Sequence, residues 1–472
     1  MTAFNRVTAD IVRRLEHICG KTGVIFGDVE KLEPYSHDEV ADPRYRRMPD
    51  VVVKPRSTEE VSEIMRLADA ELIPVTPRGA GSGLPGGAVA LHGGIVLSVE
   101  RMNRILEIDP QNMMVVVEPG VVTNEINTAV KDYGLFYAGY PMSLETCFVG
   151  GNIAENAGGG KAIKYGVTGR YVYGLEAVLP GGDVIDLGGK RMKDVTGYDL
   201  IHLLVGSEGT LAVVTKATLK LLPLPKAAVD LLVLFADPGS AIEMVPRIMT
   251  QSGITPTAVE FLDRLSAQTS CKYLNEHFAY EEAGAMLLIT VDGYDRAQVE
   301  TDYETVGELC LSHGAIEVYV ADNATTSERV WRIRRSIAEA FKVYSPVQSL
   351  EDIVVPFADI PKILPELDRL SDKYGVVIPC YGHAGDGNLH VTIVKGSDMD
   401  MPTWETCLDD ILTELYEATV ALGGTISGEH GIGHKRKQFM YLAMSPAEIS
   451  LMRRVKAAFD PKGILNPGKI FD

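Results

Sequence analysis

No Cys-x-x-Cys pair occurs anywhere in the 472 residues, and the six cysteines (Cys19, Cys147, Cys271, Cys310, Cys380 and Cys407) are scattered. That excludes a self-contained ferredoxin-type iron–sulfur module and argues against a disulfide framework. No apolar run approaches the ~20 residues that a membrane-spanning helix needs. The first residues, Met1-Thr2-Ala3-Phe4-Asn5-Arg6, lack the charged-then-apolar plan of a secretory leader. Positive charge is also short: 45 Lys and Arg stand against 64 Asp and Glu, a net charge of −19. Nucleic acid and anionic membranes are therefore poor partners. The remaining classes are a soluble enzyme, with the reducing cytoplasm as the expected compartment, or a protein that docks on a basic surface. At 46% hydrophobic and 23% charged residues the chain is an ordinary globular one. It is long enough for two or three domains.

Glycine, by contrast, is concentrated where chemistry could use it. Pro77-Arg78-Gly79-Ala80-Gly81-Ser82-Gly83-Leu84-Pro85-Gly86-Gly87 follows the apolar run Leu72–Thr76, read as a buried strand. Such a loop leaves backbone N–H groups unshielded and able to form a nest for a phosphate or pyrophosphate. A dinucleotide fingerprint would place its third glycine where Leu84 stands and continue into a helix; Pro85 and two more glycines follow instead, against a Rossmann unit. A second glycine-rich stretch, Gly150-Gly151-Asn152-Ile153-Ala154-Glu155-Asn156-Ala157-Gly158-Gly159-Gly160, reads either as a small-residue helix packed on a sheet or as close backbone approach to a flat ligand. In the second reading Asn152 and Asn156 are free to hydrogen-bond that ligand.

Periodicity supplies the frame. Residues 5–19 predict an amphipathic helix ended by Gly20, and Ser57 caps a helix running to Ala70. Strands are expected at 51–55, 95–98 and 114–117, with a short helix over 123–133. Pro180-Gly181-Gly182 joins a hairpin of 175–179 and 183–187. Pro223-Leu224-Pro225 marks a boundary. Beyond it, strands at 230–235 and 285–291 alternate with helices at 239–251 and 297–307, which predicts an antiparallel sheet with helices on one face. One helix is expected over 330–341, carrying three arginines, and another over 452–459.

Four of the ten histidines fall in two glycine-framed loops. Tyr381-Gly382-His383-Ala384-Gly385-Asp386-Gly387-Asn388-Leu389-His390 reads as a turn between strands at 376–379 and 389–394, able to aim two imidazoles at one point. Ser427-Gly428-Glu429-His430-Gly431-Ile432-Gly433-His434 sets a carboxylate beside an imidazole. Two histidines and a glutamate form a common open metal site; separate turn histidines are the alternative on spacing alone.

The two glycine loops, Lys193–Leu200 and Leu204-Val205-Gly206-Ser207-Glu208-Gly209-Thr210 together resemble the flavin domain of the vanillyl-alcohol oxidase/p-cresol methylhydroxylase type. From about residue 47 onward the chain is similar to the branch of that family that comprises the flavin subunit of glycolate oxidase together with the D-lactate and D-2-hydroxyglutarate dehydrogenases. The resemblance implies an α+β protein: an N-terminal helix and arm (1–46), a two-part FAD-binding domain (47–225), an α+β substrate cap with the metal loop (226–412) and a C-terminal helical segment returning to the flavin (413–472). It implies FAD held by Pro77, Arg78, Gly79, Ala80, Gly81, Ser82 and Gly83, by Pro141 and Ser143, and by Gly150, Gly151, Asn152, Asn156, Gly158, Gly159 and Gly166. Glu208, Gly209, Val213 and Asn466 complete that set. The first loop has no histidine, so the flavin is expected to be non-covalent. Phe148 stands where relatives often carry threonine.

By the same resemblance His383, His390 and Glu429 are ligands of a divalent metal (Zn, Fe or Mn), His430 is the base and Arg334, in a Trp-x-x-Arg pattern, anchors the substrate carboxylate. His434 has no counterpart and is read as structural or as an outer-shell residue. Thr and Lys that hold a second carboxylate in the hydroxyglutarate branch align with Ala338 and Leu350, which favours a monocarboxylate such as D-lactate, or glycolate. The expected electron acceptor is a partner protein: an electron-transferring flavoprotein (which would permit bifurcation), a cytochrome, or glycolate-oxidase-like subunits. The rival readings are an oxidase that uses dioxygen and a non-catalytic flavin-carrying subunit.

Overall fold

The computed structural model describes residues 4–277 and 283–471; Met1–Ala3, part of the stretch read for a leader, lie outside them. The chain forms two compact units: residues 1–158, 167–224 and 429–472, and residues 159–166 and 225–428. Among the described residues no helix is long and apolar enough to cross a membrane.

The first unit holds two main sheets and a two-stranded pairing of Leu135–Phe136 with Leu222–Pro223. One has the order Val24–Phe26, Val51–Val53, Ile95–Ser98, Val75–Arg78, with the last three strands parallel. Val51–Val53 and Ile95–Leu97 are wholly apolar and buried, because both faces of these strands are covered. Leu465 adds a bridge at Val75, so the C-terminal tail extends the edge strand that delivers the first glycine loop. The second sheet is antiparallel, in the order Ile105–Asp109, Met114–Val117, Val213–Lys220, Val172–Val178, Val184–Gly188; the predicted hairpin is its last pair. The N-terminal helix starts at Ala9, not residue 5, because the Thr8 hydroxyl accepts from the Ile11 N–H and caps it. The strand expected at 72–76 begins at Val75, since Leu72 takes a left-handed conformation that ends the preceding helix.

The second unit is built on one seven-stranded antiparallel sheet. Its order is Ala315–Ala321, Ala227–Phe235, Ala285–Gly293, Ala258–Asp263, Cys380–His383, Asn388–Val394, Gln348–Val354. Helices cover both faces, correcting the one-sided expectation. Leu231, Val233 and Phe235 are buried as fully as Leu232 and Leu234, so neither face of that strand meets water. Helices Arg264–Leu274, Ala324–Arg335 and Ile337–Tyr344 share one apolar cluster with Leu232, Leu262, Met286 and Leu288. Pro238–Ser252 and Arg296–Ser312 pack against the strands outside that cluster. Two further expectations shift. The arginine-bearing segment is two helices, 324–335 and 337–344, broken at Ser336. The strand before the histidine turn is Cys380–His383, with Val377 making only an isolated bridge. The boundary expected at 412/413 falls inside the helix Met401–Ala421, which belongs to the second unit; the chain re-enters the first at Glu429.

Candidate active site

In the first unit the two glycine stretches face each other. A Cβ built on Gly79 would lie 3.5 Å from the Gly151 nitrogen, whereas one on Gly151 would meet nothing within 4 Å. Close backbone approach with open space in front of Gly151 is what a flat cofactor lying on bare amides requires. Gly81 is in the left-handed region (φ 78°). A side chain there would run into the Arg78 guanidinium.

Several residues assigned to the cofactor have side chains that hold the loops. Arg78 is buried and donates to the His37 and Pro34 carbonyls (2.8 and 3.0 Å), clamping the N-terminal arm under the loop. The Asn152 amide donates to Thr123 Oγ1 (2.7 Å) and the Asn156 oxygen accepts from the Gly169 N–H (2.8 Å). These short side chains are tied to the protein, unlike the expected free pair. The second stretch is in part the helix Val149–Glu155, as the small-residue-helix reading expects. Gly159 and Gly166 fall in the second unit. Ser143 accepts two N–H groups on its carbonyl in a turn after Pro141, and Val213 opens a core strand. Phe148, which has no hydroxyl, precedes that helix as its N-cap, with no capping side chain.

Asn466 gathers the rest. Its Nδ2 donates to the Gly87 and Glu208 carbonyls (3.2 and 2.8 Å). Gly209, also left-handed, lies against Pro77. The Glu208 carboxylate accepts from the Ile432 and Gly433 N–H groups (2.8 and 2.6 Å), which pins the loop carrying Glu429 and His430. Glu155 lies beneath Gly431; burial and the neighbouring Glu208 push its carboxyl well above the ordinary range. Burial also lowers Lys469 to about 7, against the pull of Glu208. Within this loop His430 Nε2 is 3.8 Å from Glu429 Oε1, and Glu429 Oε2 is 3.5 Å from where a Cβ on Gly158 would sit. His434 donates its backbone N–H to the Pro85 carbonyl (2.9 Å) and packs edge-on to Tyr45.

The second unit holds His383, His390 and Arg334 on one face of its sheet. His383 and His390 are on adjacent antiparallel strands, with ring centroids 5.2 Å apart. Each has a fully buried acid beside it: Glu260 Oε1 is 2.6 Å from His383 Nδ1, and Asp352 Oδ1 is 4.0 Å from His390 Nδ1. Asp352 also accepts from Asn388 (2.6 Å), from Ser427 Oγ and from the Gly428 N–H (both 2.9 Å), which fixes the segment that leads into Glu429.

Arg334 is 4% exposed, while Arg332 and Arg335 on the same helix reach solvent. Its Nε donates to Glu260 Oε2 (2.7 Å), its Nη2 is buried with no hydrogen-bond partner, and the guanidinium stacks over Tyr381 at 5.2 Å. Val330, Ile333, Leu232 and Leu288 line an apolar gap beside it. The helix is held in place by Asp230, which accepts from Trp331 Nε1 (3.1 Å), Ser327 and Thr290. Trp331 in the Trp-x-x-Arg pattern is thus a strut for the arginine one turn later.

Glu260 and Asp352 were not singled out in the sequence. Glu260 had a signal: a lone glutamate inside the strand Ala258–Asp263, AVEFLD, is a charge at a core position, and such a residue is almost never fully buried unless paired. Burial opposes its ionisation, but the adjacent His383 and Arg334 outweigh it and hold the carboxyl below its ordinary value. An ionised carboxylate has no proton to give, so His383 carries its hydrogen on Nδ1 and turns Nε2 outward. A buried imidazole oriented by a carboxylate is how proteins present a metal ligand. The two histidines of the second unit therefore fit as ligands of a divalent cation.

In the first unit the Gly151 opening gives a direct test of the cofactor cleft. Gly151→Leu is expected to fold normally, because nothing lies within 4 Å of the new Cβ, and to purify nearly colourless. The ratio of flavin to protein absorbance checks this.

Residues 49–188 match the FAD binding domain family, and residues 224–470 match the C-terminal domain of FAD linked oxidases. The chain is 39% identical over 465 residues to the glycolate oxidase subunit GlcD of Bacillus subtilis, covering 98% of this chain and 97% of the relative. It is 36% identical over 472 residues to a D-lactate dehydrogenase of Anaerostipes hadrus, covering 99% and 98%. The solved structure of p-cresol methylhydroxylase with substrate bound superposes with a TM-score of 0.79 at 18% identity, covering all of this chain and 99% of the other. That last likeness concerns the fold.

Proposed function

The chain belongs to the family of FAD-linked oxidases, and we propose that within it this protein is a metal-dependent dehydrogenase that oxidises a small D-2-hydroxy acid, D-lactate first, to the 2-oxo acid. The observation that carries this reading is the buried Nη2 of Arg334. An unsatisfied cationic donor in apolar surroundings costs about 1–3 kcal/mol or more, and an arriving carboxylate removes that cost. The names of the relatives, one a glycolate oxidase component and the other a D-lactate dehydrogenase, support the same class of substrate.

In this reading Arg334 binds the carboxylate through the edge of the guanidinium that Glu260 leaves open, and Tyr381 stacks beneath it. His383, His390 and Glu429 are the residues that would hold the cation, which when bound acidifies a coordinated hydroxyl. His430 takes the hydroxyl proton. The bare amides of the two glycine stretches would hold FAD, which would supply an acceptor for the hydride of C2. Leu350 packs against the apolar cluster of the second unit and offers no charge to a second carboxylate. That favours a monocarboxylate over a hydroxyglutarate. Electrons then leave to a partner protein such as an electron-transferring flavoprotein.

Anaerobic spectra of the purified flavoprotein test the whole reading. D-Lactate is expected to bleach the flavin quickly, L-lactate and D-2-hydroxyglutarate slowly, with glycolate between them. Chelation should abolish the bleaching and added Mn²⁺ or Zn²⁺ restore it. A flavin that stays oxidised with every acid in metal-replete protein would overturn the proposal.

A further inference from the structure

We infer that Glu260 is the positioning residue of this site, one carboxylate that orients a metal ligand with one oxygen and the substrate-binding arginine with the other. The inference rests on the function proposed above and goes beyond it, since Glu260 itself would touch neither metal nor substrate.

Three observations in the second unit carry it. Both oxygens are committed, Oε1 to His383 Nδ1 at 2.6 Å and Oε2 to Arg334 Nε at 2.7 Å, and the side chain has no exposure. The backbone sets this up: Glu260 is directly opposite His383 in the antiparallel register, so both side chains rise from the same face. Arg334 descends on that face from a helix tied down at Asp230 and by the Ser270 hydroxyl on the Ile333 carbonyl (2.6 Å). Finally, the space over the carboxylate is reserved. A Cβ on Gly160 would sit 2.8 Å from Glu260 Oε1 and 3.4 Å from Trp331, so only glycine leaves the pair undisturbed.

The geometry has a chemical consequence. With Nε engaged by Glu260, the guanidinium is tethered, and its Nη2, buried without a hydrogen-bond partner, is left for another acceptor. With Nδ1 of His383 donating, its Nε2 lone pair is presented at a fixed angle. A single buried anion thus sets the two directions from which a 2-hydroxy acid must be gripped: carboxylate at Arg334, hydroxyl at the cation. A glutamine cannot do both, because the NH₂ that takes the place of one carboxylate oxygen donates and cannot accept from Nδ1–H or Nε–H.

The test uses the full-length flavoprotein with Glu260→Gln. Equilibrium dialysis against Mn²⁺ and Zn²⁺ is expected to show metal affinity about 10–100-fold weaker than in the wild type, with flavin content unchanged. Saturating metal should restore kcat while KM for D-lactate stays raised, because the arginine remains misdirected. A residue of purely structural importance would lower flavin content and melting temperature and leave that KM-against-kcat split unmoved. Gly160→Ala, which keeps every charged group and only presses on Oε1, is expected to weaken metal binding about 10-fold, the lower end of that range. It serves if Glu260→Gln does not fold. Wild-type metal affinity and KM in both variants would overturn the inference. A wild-type protein that itself retains no metal would overturn the functional reading beneath it.

Discussion

Arg334→Met is expected to lower kcat/KM for D-lactate about 10²–10⁴-fold. A charge-assisted hydrogen bond contributes about 1.5–3 kcal/mol, an arginine–carboxylate pair commonly makes two, and each 1.36 kcal/mol is roughly tenfold in rate. The loss should fall mainly on KM, since a carboxylate distant from the reacting carbon is held equally in ground and transition states. A second effect follows from the structure. Methionine leaves Glu260 buried with only His383 for a partner, and breaking such a pair costs about 3–5 kcal/mol, so the melting temperature should fall as well. Arg334→Lys separates the two effects: it restores a positive charge near Glu260 but not the planar fork. It should recover most of the stability and little of the KM. Steady-state kinetics and thermal denaturation on both variants check this. A wild-type KM in either would place the carboxylate elsewhere.

His430→Gln is expected to reduce the rate of anaerobic flavin bleaching by about 10²–10⁴, the usual contribution of a positioned base. D-Lactate affinity and flavin content should be near those of the wild type. The loop that carries His430 is pinned from below by the Glu208 carboxylate on the Ile432 and Gly433 N–H groups, so a polar replacement at His430 leaves the backbone anchored. Stopped-flow absorbance at several substrate concentrations separates the two parameters. Unchanged bleaching at saturating D-lactate would remove His430 from the proton transfer and leave only its neighbours.

Much of this was visible in the chain. The glycine loops were legible because positive φ and missing side chains are local properties. The hairpin at 180–182 was legible because its turn residues are. Helix limits were less so: Thr8 moved one start and Ser336 split the arginine segment, each through a competition between a side-chain hydroxyl or a backbone break and the apolar stripe. The two-sided burial of the second sheet was written in the runs LLVLF and AMLLITV, since a strand covered on both faces reads as continuous apolar sequence and not as alternation.

What the residues alone determined was therefore chemical inventory: which groups could bind an anion, a flat cofactor or a metal, and the family to which such a set belongs. Direction was decided only by the tertiary structure. Arg334 differs from Arg332 and Arg335 not in kind but in being turned into the sheet by Trp331 and Asp230. Asn152 and Asn156, free in the sequence, are engaged by Thr123 and Gly169. Glu260 lies more than seventy residues from Arg334 and more than one hundred and twenty from His383. Its part exists because antiparallel register puts it opposite one and a packed helix lowers the other onto it. A buried carboxylate takes its role from whichever donors the fold delivers to its two oxygens, and no local pattern carries that information.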